Sequence, residues 1–453
     1  MSSSPAALRH PQIEFGAFIA ASAIRLLYAL VSASDYIFLA ALTAMLFRPP
    51  DLKVLPVDRI AFATLLCVVS LRLVLHRERL RTYSATWPLG ALLVLGLWGA
   101  ISQPYDAQSW SLLAAKWIVP FALFHLGGTV FGSEASLRKL EWFSIATLFY
   151  LALISVFYLL GFNSLIFPRF ILDESIGIHI DRARGPFLQA VANGVCLNIL
   201  ALVAVHSFRR RRVRGVVGIA LLLLVPLAIL ATKTRAVWLS ALLTVFALLL
   251  PVFGRRVRTV ALGLAVTLAI AACTAFLLQV RWSDLSSRLE DRSPVTFRME
   301  MYRAGWQMFT ERPFTGWGSD NVVQSEIAKR IDGFQLNSFV FHNTYLELAV
   351  QRGVLGLALY VWLMVCLFRI GKAKSQDDLQ NSETGKFERH DFLGAQFRPI
   401  WILILLVYLL NASVVVMNYQ FVNGYLFTIA GILSGKQSSY AQAKSTRPLR
   451  VAA

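Results

Sequence analysis

Apolar runs near the length that crosses a lipid bilayer recur along this chain of 453 residues and limit the folds open to it. About 20 apolar residues span the hydrocarbon core as an α-helix, whereas a β-barrel shows short segments of alternating hydrophobicity. The chain is 57% hydrophobic and 15% charged, against about 25% charged residues in soluble domains. We therefore predict an all-α polytopic membrane protein that forms one integral membrane domain over residues 1–453.

About 12 transmembrane helices are predicted, and the short loops between them set their orientation. Loops rich in arginine and lysine stay in the cytoplasm, and "FRRRRVR" (208–214) and "GRRVR" (254–258) are the most basic. Both chain termini are then cytoplasmic. The predicted spans are 24–47, 58–75, 87–102, 109–131, 139–161, 186–208, 216–232, 235–253, 260–278, 344–368, 397–414 and 419–434.

Two long loops follow on the outer side of this topology. The smaller outer loop covers 162–185, and the larger covers 279–343. Helical periodicity across 295–309 predicts that the larger is a folded, helical extracytoplasmic loop that leans on the membrane surface. The loop 369–396 is predicted to be cytoplasmic.

The positive charge of the chain serves topology and does not indicate a nucleic-acid partner. The net charge of +19 lies largely in short loops between apolar runs, where it sets orientation. The cysteines all fall inside apolar runs and show no metal-ligand spacing, so we predict neither a disulfide framework nor a zinc site. They are Cys67, Cys196, Cys273 and Cys366.

Arginines on the predicted outer side are exceptions to the positive-inside rule and call for an explanation. The guanidinium group is always charged, and its fork matches two phosphate oxygens. Several arginines over one cavity would therefore suit a diphosphate and could stabilise a leaving phosphate without a metal. Arg303 lies on a different side of its helix from Arg298, and a solvated position is favoured for it. The five are Arg182, Arg184, Arg235, Arg298 and Arg303.

His342 stands at the end of the large outer loop, directly before a predicted span. With an ordinary pKa near 6.5, a histidine can act as a general base near neutral pH. His342 could equally bind phosphate or orient an acceptor, and His179 is its rival on the same side. Asn343 could contact substrate or cap the following helix.

A charge within a span and the outer carboxylates complete the set of candidates. Lys116 could support the diphosphate from a cavity, or it could snorkel towards the outer face. The outer carboxylates include Asp173-Glu174 and Glu290-Asp291 and form no paired set of the kind that holds a divalent cation. We therefore predict no metal and no cofactor.

Four stretches resemble motifs of the O-antigen ligase and Wzy polymerase superfamily. "FHNTYLELAVQRGVLG" (341–356) resembles its HN-x-x-L…E-x-G-x-x-G signature, although Gln351 stands where the family often has Glu. "RARGPFLQAVANG" (182–194) resembles its R-x-x-G-x-F-x-x-P-N motif, with Ala190 and Val191 in place of Pro-Asn. "ATKTRAVWLSALL" (231–243) and "RMEMYRAGWQMFTERPFTGWGSDN" (298–321) are similar to two further motifs, and all four keep the family's order.

The resemblance implies a metal-independent glycosyltransferase at the outer face of a bacterial inner membrane. Its donor would be a glycan on undecaprenyl diphosphate, and membrane lipids would surround it. The motif positions implicate His342 and Arg298 as catalytic residues, with Arg182 or Arg184 and Arg235 as further substrate contacts. A ligase would use lipid A-core as its acceptor, and a polymerase would use another lipid-linked glycan.

A polysaccharide or lipid transporter is the rival from another class. It predicts polar residues at mid-membrane and internal symmetry. The unusual polar residues of this chain concentrate instead at the predicted outer face, which favours an enzyme.

Overall fold

The computed structural model describes most of the chain as helices. The described residues are 21–22, 25–48, 56–177, 180–213, 215–277, 293–331, 341–372 and 392–445. His179, parts of the 279–343 loop and most of the 369–396 loop lie outside them. Over the described ranges there is no β-strand, which agrees with the predicted all-α class.

The helices follow the apolar runs closely, because in lipid a helix satisfies its own backbone hydrogen bonds. Each of the predicted spans coincides with a helix or with a pair of helices in sequence. In chain order they are α1 Arg25–Ser32, α2 Ser34–Leu46, α3 Val57–Leu75, α4 Thr86–Ile101, α5 Ala107–Val130, α6 Glu134–Leu160, α7 Ala190–Arg209, α8 Gly215–Ala231, α9 Arg235–Leu248, α10 Gly254–Leu277, α11 Ser293–Glu311, α12 Asp320–Ala328, α13 Thr344–Lys372, α14 Arg398–Ala412 and α15 Gln420–Ser445.

The predicted number of crossings is not confirmed. By length and composition, five of the described helical stretches can span a membrane, and up to seven can if each of two bent pairs is one span. The pairs are α1 with α2, bent by 62°, and α9 with α10, bent by 73°. Thr86–Ile101 and Gly215–Ala231 are apolar but shorter, and Val57–Leu75 carries Asp58, Arg59 and Arg72. An apolar run can therefore form a helix that is too short, or carries too many charged residues, to be recognised as a membrane crossing.

Small residues allow α5 and α15 to pack closely in the centre of the bundle. A Cβ atom on Gly431 of α15 would lie 1.8 Å from the carbonyl oxygen of Phe124 in α5. On the facing side, a Cβ on Gly128 would lie 2.9 Å from the carbonyl oxygen of Gly431. Glycine at such positions lets two backbones approach within a membrane, where packing rather than water expulsion holds helices together.

We predict that Gly431→Ala destabilises the protein and that Gly435→Ala does not. Alanine is the better helix former by about 0.5–1 kcal/mol, but at position 431 its Cβ would collide with backbone. Overpacking of this kind costs roughly 1–3 kcal/mol. At Gly435 the nearest atom would be the Tyr83 hydroxyl at 3.4 Å. Thermal unfolding in detergent measures both variants, and equal unfolding temperatures would contradict the proposed close packing.

Candidate functional site

Loops that the sequence assigns to one side of the membrane meet at one end of the bundle. The backbone N–H of Ala183 donates to the carbonyl of Ala231 at 3.0 Å, which joins the 162–185 loop to the turn between α8 and α9. The amide of Asn193 donates to the carbonyl of Ala183 at 2.9 Å and to the hydroxyl of Ser155 at 3.0 Å. The segment that carries Arg182 is therefore tied to the segment that leads to Arg235.

The turn between α14 and α15 joins this end to the start of α13. The Thr344 hydroxyl donates to the carbonyl of Val415 at 2.9 Å and accepts from the N–H of Met417 at 3.0 Å. The Tyr419 hydroxyl donates to the side-chain oxygen of Gln189, just before α7. The first residue of α13 is thus connected through this turn to the loop that carries Arg182.

The backbone at His342 has an unusual conformation. Its φ of 46° lies in the left-handed region, which residues other than glycine adopt uncommonly. The side-chain oxygen of Asn343 accepts from the N–H groups of Tyr345 at 2.9 Å and Leu346 at 3.1 Å. Asn343 is therefore the cap of α13, and its capping bonds fix the backbone on which the half-buried His342 is carried.

Part of the large outer loop is hydrogen-bonded to α13 at a break in that helix. Gly353 has φ 64° and ψ −164°, so it interrupts the helix. At this break the N–H of Trp317 donates to the carbonyl of Val350 at 2.8 Å, and the N–H of Val354 donates to the carbonyl of Pro313 at 2.7 Å. A Cβ on Gly316 would lie 2.4 Å from the backbone of Gln351. The glycines thus allow two backbones to touch, and the outer loop is fixed to the helix that follows His342.

A buried charge network links three helices below this contact. The Lys116 ammonium lies 2.9 Å from a carboxylate oxygen of Glu347 and 3.9 Å from one of Asp320. The Gln351 amide donates to Asp320 at 2.6 Å and to Glu347 at 3.3 Å. The Arg352 guanidinium completes the network beside a cavity of about 30 Å³ that Lys116, Glu347, Gln351 and Arg352 all line.

The network changes the interpretation of two residues named from the sequence. Lys116 neither snorkels nor carries an uncompensated charge, since Glu347 pairs with it and both side chains are about nine-tenths buried. It lies in a π-helical turn, Ala114–Ile118, a feature that is frequent at functional sites. Gln351 holds Glu347 and Asp320 together and is part of the scaffold. The described structure thus pairs Lys116 with a carboxylate of the protein, and a contact to phosphate at this residue stays a prediction.

Sequence reasoning missed Glu347, Asp320 and Arg352 as members of this network. One signal was available for two of them, because Glu347 and Arg352 are charged residues within an apolar run, as Lys116 is. Such charges are costly in a membrane and are usually paired or functional. Asp320 had no such signal, because the sequence predicts that it lies in the large outer loop, where acidic residues are ordinary.

The outer loop also contacts the start of α5. The side-chain oxygen of Asp106 accepts from the N–H of Ser109 at 2.8 Å and caps α5. Hydrogen bonds from Ser109, with a further one from Asn321 of α12, lower the pKa of Asp106. Two neighbouring residues of α12 thus contact α5: Asp320 lies near Lys116, and Asn321 bonds to the cap residue Asp106.

Arg184 holds its own loop together. Its side chain is 1% exposed. The guanidinium donates to the carbonyl of Ile171 at 2.9 Å, to that of Ile176 at 2.6 Å, and to that of Asp173. Three backbone acceptors from separate positions of the loop are satisfied by one buried cation, so Arg184 determines the shape of the 162–185 loop.

The other predicted arginines lie around the same end. Arg182 is 15% exposed, and its nearest carboxylate is that of Asp181 at 3.8 Å. Arg235 is exposed at the start of α9. Arg298 is half-buried on α11 and has no hydrogen-bond or ion-pair partner among the described residues. Arg303, on the same helix, is exposed.

The described residues contain no group of three or more histidine, cysteine, aspartate or glutamate side chains placed to hold a metal ion. Glu347 and Asp320 come near each other, but Lys116 and Gln351 already contact their oxygens.

Comparison with known proteins supports the resemblance drawn from the motifs. Residues 219–361 match the family model described as O-antigen ligase, which confirms the predicted superfamily. A search of curated proteins finds no match. The matched range contains Arg235, Arg298 and His342, while Arg182 precedes it. The apolar helices and the match together indicate a multi-pass membrane protein with a ligase-like or polymerase-like function on lipid-linked glycans.

The Lys116–Glu347 pair gives a prediction for stability. Lys116→Met leaves a buried carboxylate without its cation, and Glu347→Gln leaves the cation without its nearest carboxylate, so each should lower stability by about 3–5 kcal/mol. The double variant should recover most of that loss. Thermal unfolding in detergent measures the cycle, with the exposed Arg138–Glu134 pair as the matched control that changes little. Additive losses in the double variant would show that the two side chains do not interact.

Proposed function

We propose, from the premise that residues 219–361 of this chain belong to the O-antigen ligase family, that it is a membrane glycosyltransferase. It transfers a glycan from undecaprenyl diphosphate to a hydroxyl group of lipid A-core, at the periplasmic face of the inner membrane. The observation that carries the proposal is the meeting of the four motif-bearing segments at one end of the bundle. Direct backbone hydrogen bonds of Ala183 and Trp317 join them in pairs, and the turn between α14 and α15 connects the two pairs through bonds of Thr344 and Tyr419.

The donor diphosphate is held by Arg182, Arg235 and Arg298. Arg235 opens α9, and the side chain of the residue before it does not cap the helix, because the Thr234 hydroxyl donates to the carbonyl of Thr232. The helix dipole favours negative charge at this N-terminus. Arg298, which has no partner among the described residues, adds a second cation. Arg184 shapes the loop from which Arg182 projects.

His342 acts as the general base. Its imidazole takes the proton from the acceptor hydroxyl as that oxygen attacks the anomeric carbon of the donor sugar. A new glycosidic C–O bond forms while the bond between the anomeric carbon and the diphosphate oxygen breaks, so the anomeric configuration inverts. The leaving diphosphate departs with the electron pair, and the arginines stabilise its charge without a metal.

The position of His342 is fixed from below. Asn343 caps α13, Thr344 is bonded to the turn before α15, and Glu347 is paired with Lys116. Three attachments, at the cap and in the first turn of α13, restrict the backbone at His342. A general base must lie within hydrogen-bond reach of the proton that it removes, so this rigidity contributes to the rate.

A transfer assay with the purified full chain tests the function. Lipid-linked glycan is supplied with EDTA and with either lipid A-core or a second lipid-linked glycan as the acceptor. We expect transfer to lipid A-core that survives chelation and falls at least about 10²-fold in His342→Ala, the lower end for loss of a general base. Arg298→Ala should lose a comparable amount, while Arg303→Ala, on the same helix, retains activity.

Each other outcome of this assay is informative. Product formed only with the lipid-linked acceptor would identify a polymerase. Loss of activity with EDTA would contradict the metal-independent mechanism. Full activity in both His342→Ala and Arg298→Ala would exclude the proposed site.

Arg182 and Arg184 should differ in what they affect. Arg184→Ala removes the hydrogen-bond donor of three loop carbonyls and leaves a cavity where a buried side chain stood, so it should lower the unfolding temperature. Arg182→Ala should leave that temperature near the wild-type value and raise the KM for the donor, because it removes a contact to the diphosphate. Thermal unfolding and donor kinetics on the same preparations measure both effects. The reverse pattern would assign the diphosphate to Arg184.

A further inference from the structure

An apolar cavity of about 310 Å³ lies among α6, α7, α8 and α10, away from the proposed site. Its lining includes Leu148, Ala204, Phe208, Leu222 and Val260. The one hydroxyl in the lining, that of Thr259, donates to the carbonyl of Arg255 in its own helix at 3.0 Å. Among the described lining residues, no side-chain polar group is left without a hydrogen-bond partner, and such a space favours hydrocarbon over water.

Small residues create this space. Ala201 and Ala204 on α7 face Gly215 and Gly218 on α8. A Cβ built on Gly218 would meet its nearest atom, in the Phe208 ring, at 3.7 Å, which is ordinary contact. The helix at this point is therefore not pressed against its neighbour, and a side chain or an acyl chain has room there.

Two arginines adjoin the cavity, one between α7 and α8 and one near the start of α10. Arg212 adjoins the lining residue Val213, and Arg258 adjoins the lining residue Thr259. Both are half-buried, and the Arg258 Nε atom is buried with no hydrogen-bond partner among the described residues. Arg210, in the same loop as Arg212, is by contrast paired with Glu141 at 2.9 Å. The segments 208–213 and 254–258 contain no acidic residue, so Arg212 and Arg258 lack a local counter-charge.

We propose that this cavity binds an acyl chain of an anionic phospholipid whose phosphate is held by Arg212 and Arg258. An arginine fork matches phosphate oxygens, and basic pockets between transmembrane helices bind acidic headgroups. A headgroup with net negative charge supplies the counter-charge that the loops lack, whereas a zwitterionic headgroup brings its own cation. The inference does not depend on the proposed glycan transfer.

The test titrates the purified full chain in detergent with phosphatidylglycerol or with phosphatidylcholine of the same acyl chains, and follows thermal unfolding. We expect phosphatidylglycerol to raise the unfolding temperature more than phosphatidylcholine does. Gly218→Leu should abolish that difference by filling the cavity. It should still fold, because leucine is a better helix former than glycine and the Cβ has room. Arg258→Gln should weaken the apparent affinity for phosphatidylglycerol roughly tenfold, as expected for loss of one charged hydrogen bond.

Arg138→Gln is the matched control for charge. Arg138 is exposed near the start of α6 and is paired with Glu134 at 3.5 Å. It should leave the response to phosphatidylglycerol unchanged. An equal loss in Arg138→Gln would mean general surface attraction and would overturn the site, as would equal responses of the wild type to the two lipids. If Gly218→Leu does not fold, Arg258→Gln and Arg212→Gln decide the outcome alone, and a full response in both rejects the proposal.

Discussion

The ion pair between Lys116 and Glu347 is the interaction on which the geometry of the candidate site depends. A charge within an apolar helix is tolerated only when another charge compensates it. Each of these residues therefore fixes the depth and the rotation of the other's helix. Gln351 extends the constraint to Asp320, so that the outer loop is bound to the same point. A substitution in this pair would therefore disturb the packing of α5, α12 and α13.

The outer loop is held to the bundle by backbone as well as by charge. The break at Gly353 exposes N–H and carbonyl groups that a continuous helix would use internally, and the segment ending at Trp317 bonds to them. His342 therefore belongs to a part of the molecule whose attachments are short and directional, although the residue itself lies at the edge of a helix. That arrangement suits a general base, which works only from a restricted position.

Much of the helical architecture could be predicted from the sequence, because hydrophobicity along the chain is a local property. The basic loops alternate along the chain, and this alternation predicted that the two long loops lie on the same side. The crossings could not be counted, since helices such as Val57–Leu75 carry charges that an apolar average conceals. The role of Arg184 was equally hidden. Its acceptors are carbonyls of Ile171, Asp173 and Ile176, and nothing in their side chains indicates that these carbonyls will converge on one guanidinium group.

Lys116 illustrates why pairing escapes sequence reasoning even when the residue itself is noticed. Its partner is 231 positions away in the chain, and an unaccompanied charge predicts only that some compensation exists. A phosphate and a carboxylate satisfy that requirement equally well. The choice between them depends on whether another helix brings a carboxylate to the same depth, which α13 does with Glu347. For the proposed diphosphate site, this argument favours cations that no protein carboxylate neutralises closely, and it therefore favours Arg298 over Lys116.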